Sequence, residues 1–141
     1  MSVIRPPVRP RRVEPVLLER LRDRFHDVEF GTVRNRGNPS RECVLVAVPG
    51  QKATPVSQQA RLRISVWVRR DDGTGDIDDG TGDIDAAQNL AADIELYLTG
   101  LYPPRPVVTI DHESGPIRMS DENGCLMAYL TLLLTVETNQ A

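Results

Sequence analysis

Aromatic side chains are scarce in this chain. Phe, Trp and Tyr together make up 4% of its 141 residues, so leucine, valine and isoleucine must fill any core. Lysine is scarcer still. Lys52 is the only one, and Ala53 follows it, which excludes a phosphate-binding loop of the Gly-Lys-Ser/Thr type. The two histidines, His26 and His112, adjoin the ends of elements and read as solvated, so no nucleophile–base–acid set can be assembled. The two cysteines, Cys43 and Cys125, form no Cys-x-x-Cys pair, which excludes the usual zinc and redox motifs. Both fall in apolar runs and read as reduced, buried small hydrophobes. No apolar stretch is long enough to span a bilayer. Met1–Pro15 is basic and proline-rich with no apolar segment, so no signal peptide is expected and synthesis is expected in the cytoplasm.

What is present is ordinary in amount and uneven in placement. Hydrophobic residues make up 40% and charged residues 26%, as in a single globular domain with a real core. The net charge of −3 hides a division. Residues 1–70 carry 15 Arg and Lys against 6 Asp and Glu, whereas residues 71–141 carry 2 against 14. Such polarity suits a protein whose basic side meets the acidic side of a neighbour. All the cations but one are arginine, the residue that favours bidentate pairing at interfaces.

Arg61–Arg70 separates the two halves. Leu62, Ile64, Val66 and Val68 fall on one side of an extended chain, and Arg61, Arg63, Ser65, Trp67 and Arg69 on the other. Side chains alternate across a strand, so this run has one apolar and one cationic face. Before it, Met1–Glu14 reads as an extended basic arm with Pro6, Pro7 and Pro10, and residues 15–138 as one domain. Pro15–Phe25 predicts a helix, with Leu17, Leu18, Leu21 and Phe25 in one stripe. Val28–Val33 and Arg41–Val48 predict strands, the second ended by Pro49-Gly50 and followed by a polar loop at Gln51–Gln59.

After the central run, a second helix is expected at Ala86–Leu101. Its expected cap is Asp85, with Gln88 reaching back, and Gly100 is its expected left-handed stop. Val107–Asp111, a turn at His112–Pro116, Ile117–Ser120, a turn at Asp121–Gly124 and a long strand at Cys125–Thr138 complete the chain. The order α-β-β-β-α-β-β-β predicts an α+β fold: a mostly antiparallel sheet of five to six strands with two helices packed on it.

The seven residues Asp71–Ile77 recur unchanged as Asp78–Ile84, within an acidic segment spanning Asp71–Asp85. Two short copies do not make a solenoid, and Gly, Asp and Thr there predict a flexible anionic loop. Asp76-Ile77-Asp78-Asp79-Gly80 resembles the start of a calcium loop. The match fails, because the twelfth position is Ala87 instead of Glu. Nucleic-acid binding is a further reading of the arginines around Trp67. The acidic balance and the lack of any finger or helix-turn-helix motif weigh against it.

The whole pattern resembles one family. A helix with Val16-Leu17-Leu18 and Leu21 leads into short strands. The long alternating strand Arg61–Arg70 is followed by a loop and the Ala-rich helix Asp85–Leu101. A terminal hairpin ends in the apolar strand Leu126–Val136. In length, element order and texture, residues 14–138 resemble the tail terminator proteins of long-tailed bacteriophages.

The resemblance implies a non-enzymatic virion protein without cofactor or metal, a hexameric ring at the head-proximal end of the tail. Such a ring stacks on the major tail tube protein, stops tube growth, meets a head-completion or connector protein, and leaves a channel through which phage DNA passes without sequence-specific binding. No membrane is involved. On this reading Arg61, Arg63, Trp67, Arg69 and Arg70 are candidate subunit contacts toward acidic residues of the adjacent copy. Asp71, Asp72, Asp76, Asp78, Asp79 and Asp83 are candidates for the channel wall or a ring-stacking face. The alternatives are another head–tail connector or stopper subunit, and, from a different class, a small hydrolase or nuclease.

Overall fold

The computed structural model describes residues 8–9, 12–37, 39–53, 57–69 and 82–140. Its elements are β1 (Val8–Arg9), α1 (Glu14–Arg24), β2 (Glu29–Gly31), β3 (Arg41–Ala53), β4 (Ser57–Val68), α2 (Ile84–Gly100), β5 (Val107–Ser120), β6 (Leu126–Glu137) and β7 (Asn139–Gln140). Five strands form one sheet in the order β2-β3-β4-β6-β5, antiparallel except for the β2–β3 pair. Both helices lie on the same face. α2 packs on β4, β6 and β5, and α1 on β2 and β3. The fold is α+β, as the element pattern predicts. Within the basic arm, Val8–Arg9 pairs with Asn139–Gln140, and the rest of residues 1–11 lie outside the described set.

The alternation in β4 decides what the sheet looks like. Leu62, Ile64 and Val66 are fully buried under the helices, while Arg61 and Arg63 point to the opposite face and are exposed. α2 supplies Leu90, Ala91, Ile94 and Leu98 to the same core. Its small alanines let the helix lie close to the strands. Phe25 stacks edge-on against Tyr97 with centroids 5.8 Å apart, which joins the two helices.

Four expectations need correction. β3 does not stop at Pro49-Gly50 but runs to Ala53, so the loop expected at Gln51–Gln59 is mostly strand. β2 reaches only as far as Val44 along β3, so Pro49 sits where its missing N–H breaks no ladder. Gly50 lies where a Cβ would come within 2.5 Å of the Gln59 carbonyl oxygen, so glycine there permits close approach of the strands.

The turn expected at His112–Pro116 is not a turn. β5 is one strand of 14 residues that follows β6 throughout, with register shifts on either side of Ser114. The extra residues are absorbed as bulges. α2 is capped by Asp83, not Asp85. The Asp83 carboxylate accepts from the Ala86 N–H at 3.0 Å, and Asp85 lies in the first turn. α2 also ends without a left-handed glycine, because Leu101 turns to extended backbone (φ −77°, ψ 143°) ahead of Pro103. The turn at Asp121–Gly124 forms as predicted, with the Gly124 N–H on the Asp121 carbonyl at 3.0 Å. Among the described residues, no helix is long and apolar enough to cross a membrane.

Candidate interaction surface

With both helices on one face, the other face of the sheet has no covering layer among the described residues. Register builds that face row by row. Val48, Arg61, Leu133 and Asp111 are neighbours across β3, β4, β6 and β5, and Val46, Arg63, Thr131 and Ser114 form the next row. Val44, Ser65, Tyr129 and Ile117 follow, then Glu42 and Trp67. The face is mixed: Ile117 is 52% exposed and Val46 39%, with Arg61 and Arg63 between them.

Two polar clusters organise its flanks. At one end, the Glu42 carboxylate, only 2% exposed, accepts from Arg34 Nε at 2.8 Å and from the Asn35 N–H at 2.6 Å. The same guanidinium reaches Asp121 at 3.1 Å and lies 4.0 Å from the centroid of the Trp67 ring. Trp67 Nε1 donates to Asp121 at 3.0 Å. At the other end, Arg61 forms a two-pronged pair with Glu113, at 2.5 and 3.2 Å. Thr131 donates to Glu113 at 2.9 Å and lies 2.6 Å from the Ser114 hydroxyl.

The hydrogen bond from Arg61, then that from Thr131, holds the Glu113 carboxyl below the usual glutamate range. A depressed folded value means a stability contribution present above the unfolded pKa of about 4.3 and lost as pH falls through the folded one. Glu113→Gln is therefore expected to flatten the decline of stability with acidification below about pH 4.3. Urea denaturation at pH 3 to 6 checks this, and identical pH slopes for variant and parent would refute it.

The structure places the predicted contact residues differently from one another. Arg61 finds its acid in its own chain. Trp67 is held by Arg34 and Asp121 of the same chain. The Arg69 N–H bonds to the Ser40 carbonyl at 2.8 Å, and its side chain is half-buried. Arg63 stands apart: it is exposed and has no polar partner among the described residues. Arg70, Asp71, Asp72, Asp76, Asp78 and Asp79 lie outside the described residues, and Asp83 is the helix cap. Sequence reasoning missed Arg34, Glu42, Glu113 and Asp121, whose roles depend on register. The alternation that puts Arg61 and Arg63 on one side was legible, whereas the strand runs Ser57–Val68 and not Arg61–Arg70.

The acidic half of the chain is concentrated elsewhere. α2 contains no Lys or Arg, and Asp85 and Asp93 are exposed on its outer side. Glu95 lies 2.5 Å from His112 Nδ1. A groove of about 420 Å³ beside α2 is lined by Arg24, Phe25, Arg41, Leu90, Leu96 and Tyr97 with Asp93, and Arg41 is already paired with Asp27. Among the described residues, no three His, Cys, Asp or Glu side chains converge as a metal site.

Cys43 is buried as expected, whereas Cys125, just before β6 and outside the strand expected to contain it, is only half-buried. Burial, and then the neighbouring Glu42 charge, push the Cys43 thiol far above the usual range. One thiol is expected to react quickly with an alkylating reagent in the native protein, at Cys125, and the second only in denaturant. Mass spectrometry of the labelled peptides checks this. Equal labelling of both in the native state would contradict it.

The open face thus combines apolar strand positions, the exposed Arg63, and charge clusters at its flanks. No model of a known protein family matches the sequence, and a search of curated proteins finds no match either.

Proposed function

We propose that this chain is a virion structural subunit of the tail terminator kind. Six copies form a ring at the head-proximal end of a phage tail tube, end its polymerisation, and join it to the head-completion protein. The role asks for no catalytic step and no cofactor. The observation that carries the reading is the pair of unlike surfaces on one small subunit. An arginine-bearing open sheet face lies on one side and a cation-free acidic helix on the other. Closed rings need such heterologous surfaces. On this reading the segment Asp71–Asp85, most of which lies outside the described residues, would line the channel or a stacked ring, where anionic groups repel DNA phosphates.

Particle imaging at the head–tail junction tests the reading, together with loss of the gene. The expected result is a ring of density at the end of the tube, and tubes of uncontrolled length without it. Density at the portal-side adaptor would assign the connector role instead, and normal particles lacking the chain would refute both.

One prediction concerns the repeat. The Asp83 N–H bonds to the Val68 carbonyl at 2.8 Å, which closes the chain on either side of the acidic segment. Deleting Asp71–Ile77 then halves a closed loop, which changes stability by only about 0.6 kcal/mol, in the favourable direction. A thermal melt checks the fold, and infectivity of the deletion phage reports whether the duplicated acids serve the channel.

A further inference from the structure

Arg63 is the centre of the open sheet face. Its cross-strand neighbours are Val46 on β3 and Thr131 on β6, and Val44, Val48, Tyr129 and Leu133 stand at the diagonals. An antiparallel sheet can leave one face to solvent, and where a second layer covers such a face a helix is one of the layers that does so. Arginine and tyrosine, both present on this face, are among the residues enriched at interface hot spots.

The covering helix has to bring a carboxylate and an apolar side chain one turn apart. α2 does. Asp85, Asn89, Ala92, Asp93, Leu96 and Thr99 form its exposed stripe, turned away from the core residues Ala87, Leu90, Ala91, Ile94 and Leu98. Leu96 is 74% exposed, and Asp93 is its neighbour at i−3. α2 itself carries no Lys or Arg, and of the two arginines that line the groove beside Asp93 and Leu96, Arg41 is paired with Asp27 while Arg24 remains to be accommodated.

We propose that the outer stripe of α2 on one copy covers the open sheet face of a second copy. Asp93 meets Arg63, and Leu96 enters the apolar ring around it. This rests on the self-assembling reading above and adds which two surfaces meet. The stripe and the sheet face lie on opposite sides of a two-layer body. Each copy therefore offers both, and the contact repeats head to tail, closing where the rotation per step completes a turn. Each sheet then lies between two helix layers.

The test uses the full chain and sedimentation velocity over a concentration series. Arg63→Glu alone sets carboxylate against carboxylate, and Asp93→Arg alone sets guanidinium against guanidinium. Each is expected to weaken self-association by about 30-fold or more. An equimolar mixture of the two variants is expected to assemble again, because alternating copies restore an opposite-charge pair at every contact. Leu96→Arg, on an exposed helix position that leaves folding intact, is expected to abolish assembly without rescue by either variant.

A parent protein that stays monomeric up to millimolar concentration overturns the proposal. So do single variants that associate like the parent, or a mixture that does not recover. Imaging that places the chain at the tail end while the mixture fails would remove this interface and leave the ring role standing. Charge-swap rescue with the chain absent from particles would do the reverse.

Discussion

Gly115→Ala is expected to destabilise the protein by on the order of 3 kcal/mol, a fall in Tm of roughly 10 °C. Gly115 sits at φ +85° in the bulge of β5, a conformation that costs an L-residue about 1–2 kcal/mol. A Cβ there would lie 2.5 Å from the Tyr129 carbonyl oxygen and 2.9 Å from Leu130 Cα. Those atoms are backbone of β6, held between β4 and β5, so they cannot yield without disturbing both pairings. Gly124 is the internal control. Its φ is +84°, but nothing stands within 4 Å of its Cβ position. Gly124→Ala should therefore show only the conformational part, about 1–2 kcal/mol. Equal losses at the two positions in urea denaturation would refute the steric argument.

Glu42→Ala is expected to cost about 3 kcal/mol, the low end for breaking a buried ion pair. Glu42 is almost wholly buried, and both its oxygens are engaged, one by Arg34 and one by the Asn35 N–H. Without the carboxylate, the Asn35 N–H loses its acceptor and the space beside Trp67 and Arg34 is left unfilled. Arg34 is partly exposed and can rehydrate, which keeps the loss from being larger. Arg34 also lies over Trp67, the only tryptophan in the chain, so the change has an optical reporter. The emission maximum of the native variant should move to longer wavelength as the guanidinium and Asp121 loosen from the ring. Glu42→Gln, which keeps an acceptor for Asn35 but no charge for Arg34, should fall between the two. Unchanged stability and emission in Glu42→Ala would show that the cluster is ornamental.

How much of this was legible depends on how far apart the interacting residues are. The two-residue period of β4 is local, and the buried and exposed sides of Arg61–Val68 follow from it directly. The leucine stripe of α1 and the Asp121–Gly124 turn are local too. The bulged course of β5 is not. His112–Pro116 has the composition of a turn, and only pairing with β6 keeps it extended. The choice between Asp83 and Asp85 as helix cap is likewise tertiary, because the Asp83 N–H is held by Val68 from another strand.

Arg34, Glu42, Trp67 and Asp121 come from four separate segments, and no short window contains more than two of them. Arg61 shows the limit most clearly. Its exposure on the open face was foreseeable, but its engagement with Glu113, 52 positions away, required the register of three strands.

The bond between Asp83 and Val68 has a practical corollary. It acts as a clasp, so material spliced between those two residues hangs from a point that the sheet and α2 already hold shut. An epitope tag grafted there would leave the sheet and α2 joined as they are, and changes in repeat number through replication slippage would be absorbed at the same place.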